Sequence, residues 1–242
     1  MINTNDINIT ILFDNQPYNK DLQTLWGFSC LIETPKETIL FDTGSNGRVL
    51  LKNMQRLQCD AKKIDTLFLT HQHWDHIGGF DSVIELYPNI DIVLTSAFSQ
   101  NLIQDLDSMV QSVTIVKQKS CEISDNIHST GVMGESTPEQ SLIIDSDQGL
   151  IVITGCAHSG IVEIATKAQM LFNKKIHLLL GGFHLFRESE SKIEKVIKEL
   201  KKIGIEYVAP THCTGEMAVE KFSQSFGDKF IVSGVGKRFY KL

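Results

Sequence analysis

Four metal-donor side chains fall within six residues in the stretch LTHQHWDHIGG: His71, His73, Asp75 and His76. Imidazole nitrogens and carboxylate oxygens are the donors that Zn2+ and other first-row divalent ions take up. Residues i and i+2 of an extended segment project to the same side, so His71 and His73 can converge on one point. Asp75 and His76 stand where a helix would begin and approach the same cavity from another direction. Gly78 and Gly79 let backbone pack closely behind the loop. A merely hydrogen-bonded polar loop is the plainer alternative. Three histidines and an aspartate at this density, directly after an apolar strand, argue against it. Three more histidines also stand beside strand ends in glycine-rich or polar turns: His158 in TGCAHSG, His184 in GGFHL and His212 in PTHCTG. His128 and His177 lack that setting and read as ordinary packed or solvated side chains.

Donors spread this widely need strands that end together. The runs INITILF, WGFSCLIET and ETILFDT read as strands, with Pro35 and Lys36 at a turn. Residues 48–57 have helical spacing, with Val49, Leu50, Met54 and Leu57 as an apolar stripe. IDTLFLT is a buried strand that stops at the histidine loop. Short strands follow in DIVLTS, SVTIVKQ, SLIIDSD and GLIVITG, the last two joined at Gln148-Gly149. Residues 159–173 and the strongly amphipathic 188–202 are expected helices, separated by the buried strand IHLLLGG. A strand at IEYVAP, a short helix after Thr214 and two terminal strands complete the chain. Strands first in hairpins and later alternating with helices suggest sheets covered by helices, an α/β (α+β) class. No linker or low-complexity tract interrupts the chain, so residues 1–242 are expected to form one domain.

At 42% hydrophobic and 21% charged, the 242-residue chain has material for a substantial core. The net charge of -6 gives no basic field to gather nucleic acid. The start, MINTNDINITILF, lacks a basic n-region and apolar h-region, and no apolar run approaches a membrane span. The five cysteines are odd in number, widely spaced and without a CxxC pair. That pattern is no disulfide framework, and the cytoplasm is the expected location. Cys156 and Cys213 adjoin histidine donors but are displaced from them by one or two residues, which favours a packing role over ligation or nucleophilic chemistry. Lys174, Lys175, Lys201 and Lys202 read as solvated helix ends.

The segment THQHWDHIGG resembles the signature T-H-x-H-x-D-H-x-G-G of the metallo-β-lactamase superfamily at every defined position. LFDTG, TGCAHSG and PTHCTG resemble its other landmarks, spread through nearly the whole chain. The resemblance implies a four-layer αβ/βα sandwich with metals at one edge between two sheets. It implies a first site of His71, His73 and His158, a second of Asp75, His76 and His212, and Asp42 as support for the histidine loop. One departure stands out: IHLLLGGFHLF carries Gly182 where most two-metal members place a bridging aspartate. His184, two residues on, is a candidate substitute ligand or proton donor, with a supporting position outside the metal shell as the alternative. Zn2+ is the expected metal, one or two ions per chain, with Mn2+ or Fe2+ as further candidates.

Neutral imidazoles with Asp75 as their one carboxylate leave two dications undercompensated, which favours an anionic small-molecule substrate, above all a phosphate. The expected chemistry is metal-assisted hydrolysis, in which water held by the metal attacks as hydroxide at near-neutral pH. Asp75 would orient the nucleophile, and His184 or His212 would assist the leaving group. PEQSLII, GGFHL and THCTG resemble one subgroup in particular, described as like a dihydropterin/ribofuranosylaminobenzene-phosphate synthase. That implies a transferase alternative, with Trp74 and Phe183 as candidate stacking residues. A non-catalytic metal-binding protein of the same fold is the third reading, favoured by the absent bridging carboxylate.

Overall fold

The computed structural model describes residues 1–240. In chain order the elements are β1 (Asn8–Phe13), β2 (Ser29–Glu33), β3 (Thr38–Phe41), α1 (Gly47–Arg56), β4 (Thr66–Phe68) and the one-turn α2 (Trp74–Ile77). Then come α3 (Phe80–Leu86), β5 (Asp91–Thr95), α4 (Gln100–Met109), β6 (Ser112–Val116), β7 (Cys121–Ser124), β8 (Ile127–Ser129) and β9 (Leu142–Ser146). The chain continues with β10 (Gly149–Thr154), α5 (Ile161–Phe172), β11 (Ile176–Gly182), α6 (Glu190–Ile203), β12 (Tyr207–Thr211), α7 (Glu216–Phe226) and β13 (Arg238–Phe239).

The strands form two sheets, in the orders β13-β1-β2-β3-β4-β5-β6 and β12-β11-β10-β9-β8-β7. In the first sheet β3 to β6 run parallel; in the second β10, β11 and β12 do. The central strands are apolar on both faces, as strands buried on both sides must be. Ile39 and Phe41 of β3 enter the core between the sheets, while Leu40 packs outward against α1 and α3. On β10, Ile151 and Ile153 face inward, and Leu150 and Val152 meet the layer of α5, α6 and α7. The result is helix, sheet, sheet, helix: the expected four-layer sandwich.

Helix ends follow their sequence signals. Asn46 caps α1 by accepting from the Val49 amide, and Ser189 caps α6 by accepting from that of Lys192. Gly204 ends α6 in the left-handed conformation. Differences from expectation lie at the periphery. Of the two terminal strands only β13 forms among the described residues; Phe230 makes an isolated bridge to Val208 instead. Helices α3 and α4 and the hairpin β7–β8 have no expected counterpart. The hairpin strands are largely half-exposed, and α4 buries only Ile103 and Leu106, so the apolar periodicity is faint in both. Lys174 is not a solvated end: it is paired with Asp145 at 2.6 Å. Among the described residues, no helix is long and apolar enough to cross a membrane.

Candidate metal centre

Five strand ends meet at one rim of the sandwich. Asp42 follows β3, the histidine loop follows β4, His158 follows β10, His184 follows β11 and His212 follows β12. These are the carboxyl ends of parallel strands, where α/β sheets place their ligands. Asp42, Ala157, His184 and His212 all have left-handed φ, between 51° and 59°. Non-glycine residues held there carry strain, and such strain clusters at functional sites.

The seven expected donors come together. The ligand atoms of His71, His73 and His158 lie within 4.8 Å of one another, and so do those of Asp75, His76, Cys156 and His212. The two expected triads are thus separate groups, and they adjoin, with the His71 and His76 ring centroids 4.3 Å apart. His184 belongs to neither triad. Its donors group with His158 and Cys156, and its ring centroid is 4.2 Å from that of His158.

Three of the six imidazoles, those of His71, His76 and His212, are fixed by a hydrogen bond at Nδ1, which leaves Nε2 turned inward. His76 Nδ1 donates to Asp42 Oδ2 at 2.7 Å. The Thr70 hydroxyl donates to the same oxygen at 2.8 Å and accepts from His71 Nδ1 at 2.8 Å. Asp42 Oδ1 accepts from the Thr70 amide, so one carboxylate orients a histidine of each triad. His212 Nδ1 donates to Asn15 Oδ1 at 2.8 Å. The His158 turn is held by Glu139, which accepts from both the amide and the hydroxyl of Ser159. The neighbouring Gln140 donates to the Leu69 carbonyl ahead of the histidine loop, so the dipeptide ties the two halves of the site together. Gly155 is needed where β10 ends: a Cβ there would lie 2.4 Å from Thr70 Oγ1 and 3.0 Å from Asp42 Oδ2.

The inward atoms answer whether these residues fit a cation. His71 Nε2, His158 Nε2, His212 Nε2 and His184 Nδ1 are buried without an aligned hydrogen-bond partner. Orphaned polar atoms of this kind are rare, and four around one cavity are the expected signature of a metal site. Asp75 Oδ2 faces the same point, 3.4 Å from His212 Nε2 and 3.8 Å from His76 Nε2. Burial and the neighbouring imidazoles of His184 and His73 hold His158 down at about 3, and burial and His76 hold His71 well below its ordinary value. Both are therefore neutral, as ligands must be. Burial pushes Asp75 up, but the imidazoles of His212 and His76 outweigh it and keep the carboxyl ionised.

Several residues of the site stand apart from the sequence expectations. Cys156 is not a mere packing residue: its Sγ lies 3.2 Å from His76 Nε2. Its position two residues before His158 repeats the spacing of His71 and His73, a signal present in the sequence. Phe183 is fully buried against Phe222 and cannot stack on a ligand, and Trp74 is largely exposed. The aromatic wall is built by Trp26, 5.1 Å from the His212 ring, and Phe186, 5.8 Å from Trp26. Asn15 and Asp14, brought in from the far end of the chain, carried no local signal.

Asp14 is fully buried, accepts from Thr211 and Gln16, and has its carboxyl pushed up to about 6 by burial. A raised folded value favours the folded state at pH below the unfolded value, and that contribution is lost as pH rises through about 6. In the metal-free protein, Asp14→Asn should therefore gain on wild type by about 1–3 kcal/mol as pH rises from 4 to 8. Urea midpoints at several pH values check this, and a difference independent of pH would contradict it.

Residues 27–100 match the family model of the metallo-β-lactamase superfamily. The chain is 30% identical, over 95% of its length and 98% of the relative's, to an uncharacterized protein of Methanocaldococcus jannaschii. It is 26% identical, over 94% of both chains, to the 7,8-dihydropterin-6-methyl-4-(β-D-ribofuranosyl)-aminobenzene-5'-phosphate synthase of the same organism. A solved structure described as a metal-dependent hydrolase of the β-lactamase superfamily superposes with a TM-score of 0.80 and 28% identity, covering 96% of this chain and 98% of that one.

Proposed function

The chain belongs to the metallo-β-lactamase superfamily, and from that premise we propose that it is a metal-dependent hydrolase of small, phosphate-bearing or otherwise anionic molecules. His71, His73 and His158 would hold one divalent ion, Zn2+ by donor chemistry, and Asp75, His76 and His212 a second. The observation that carries this is the set of buried imidazole nitrogens without partners, already gathered in two adjoining groups. Such ions, when bound, lower the pKa of water and polarise a phosphoryl or carbonyl oxygen.

The protein's own residues supply the rest. Asp42 and Asn15 keep the imidazoles in the tautomers that ligation requires. Asp75, ionised and half-wrapped by histidines, has a carboxylate to orient the attacking water. His184 is half-buried beside His158, and its proton affinity is raised, first of all by Cys213, which suits it to protonate a leaving group. Trp26 and Phe186 offer apolar faces for the rest of the substrate, and Arg187 lies 5.0 Å over the Phe186 ring as a fixed cation at that rim. Asp75 as the lone carboxylate of the two triads is what favours an anion.

The second reading is a transferase joining a dihydropterin to a ribosylaminobenzene phosphate. It is favoured by the synthase relative and by the Trp26–Phe186 pair, which suits a flat heterocycle. A panel of aryl phosphodiester, phosphomonoester, lactone and thioester substrates, run on zinc-reconstituted protein, separates the two. Turnover with a preference for a phosphate ester is expected. Inertness across the panel, with Trp26 fluorescence quenched by a dihydropterin, would move the assignment to the synthase chemistry.

A further inference from the structure

We propose that the slot between the sheet edges at the rim far from the histidines is a second binding site, which takes a small aromatic anion. Strands β11 and β12 begin at that rim. Phe239 of β13 pairs there with Ile9, near the start of β1, whose other end leads to Asn15 and His212. His177, near the start of β11, stands five residues before Gly182 at the metal end, about 17 Å at the rise of a strand. The slot is thus separate from the metal centre. Strands β12 and β13 are edge strands of different sheets and are not paired with each other. Between them opens a cavity of about 310 Å³, at the small end of the range for ligand pockets.

The lining sets the chemistry of the occupant. Leu178 and Phe239, both buried, give an apolar floor continuous with the core between the sheets. Tyr207 and His177 meet edge to face at 5.3 Å and form an aromatic wall, which suits a flat ring. The mouth is cationic. Lys237 Nζ stands 5.1 Å over the Tyr18 ring and 5.5 Å over that of Phe239. Arg238 is held in place by donating to Tyr240 Oη at 2.8 Å and to the Leu57 carbonyl. Neither cation is paired with a carboxylate among the described residues, although the chain carries a net charge of -6. No Asp or Glu among the described residues lines the cavity. Glu206, beside Tyr207, is taken up by Lys175 at 2.8 Å and His177 at 3.2 Å. A ring-lined apolar floor below two unneutralised cations selects an aromatic ring that carries a carboxylate, sulfonate or phosphonate.

The test is calorimetric titration of the zinc-loaded full chain with three aromatic anions that resist hydrolysis: salicylate, naphthalene-1-sulfonate and phenylphosphonate. Benzyl alcohol and sulfate serve as the ring without the charge and the charge without the ring. At least one aromatic anion should bind one-to-one with a Kd below about 1 mM, and both controls should bind about 10-fold more weakly or worse. Lys237→Glu should weaken that binding by about 10-fold or more, and Lys237→Met, which keeps the stem, by less. The His71→Ala/His73→Ala variant should bind as wild type does. Near-ultraviolet circular dichroism checks that the Lys237 variants fold; if Lys237→Glu does not, Lys237→Met carries the test. Absence of binding by all three anions overturns the proposal. So does binding that both Lys237 variants leave unchanged, or binding that disappears in His71→Ala/His73→Ala, which would place the anion at the histidines. Each of these outcomes leaves the hydrolase reading standing.

Discussion

His71→Ala combined with His73→Ala is expected to abolish zinc uptake at the first site and to bring turnover to background. The two substitutions take away two of three donors, leaving His158 alone, and a single imidazole does not hold a divalent ion against water. The loss should exceed the 10- to 100-fold, approximately, that follows removal of a residue merely supporting a ligand. The metal-free protein should still fold. His73 is half-exposed, and His71 forfeits one hydrogen bond to Thr70, worth about 1 kcal/mol. Metal content, activity and the near-ultraviolet circular dichroism of the metal-free variant check the three parts. A double variant with normal zinc content and turnover would show that the chemistry lies elsewhere.

Asp42→Ala should be as damaging without removing any ligand. It leaves the Thr70 amide, the Thr70 hydroxyl and His76 Nδ1 without their acceptor in a fully buried setting. Each unsatisfied buried donor costs about 1–3 kcal/mol, so destabilisation of at least about 3 kcal/mol is expected. Affinity at both sites should fall 10- to 100-fold, by that order, since His76 loses its orienting bond directly and His71 loses its own through Thr70. Asp42→Asn keeps one acceptor but sets an amide against His76 Nδ1, so the second site should suffer more than the first. Urea midpoints and zinc titrations measure both effects. Unchanged stability, or a loss confined to the first site, would contradict the shared role of this carboxylate.

The parts of the site legible in the sequence were those whose chemistry is local. His71 to His76 lie within one loop, and the i, i+2 relation together with the helix start at Trp74 determines where the side chains go. His158, His184 and His212 were legible for a related reason: each follows a buried apolar strand and precedes or lies within a glycine turn. The sandwich was legible too, because strands such as β10 and β11 are apolar on both faces and must be covered twice. What could not be read came from contacts between distant segments. Asn15 reaches His212 across 197 positions, and Gln140 reaches Leu69 across 71. Trp26 rather than Trp74 forms the aromatic wall, because α2 turns Trp74 out to solvent while the approach to β2 sets Trp26 against His212. Phe183 follows the alternation of its strand into the helix-covered face, which takes it out of the cavity that His184 enters. The crowding at Gly182 was equally hidden: a Cβ there would lie 2.4 Å from the Gly155 carbonyl oxygen and 2.6 Å from Cys213 Sγ.

The claim on which the rest depends is that two adjoining donor groups each hold an ion. Titration of metal-free wild-type protein with zinc, followed by elemental analysis after desalting, tests it most directly. Saturation at about two ions per chain, reduced to no more than one in the His71→Ala/His73→Ala variant, is the expected result. Zinc that washes out of wild type during desalting, or binds equally well to that variant, would contradict the account.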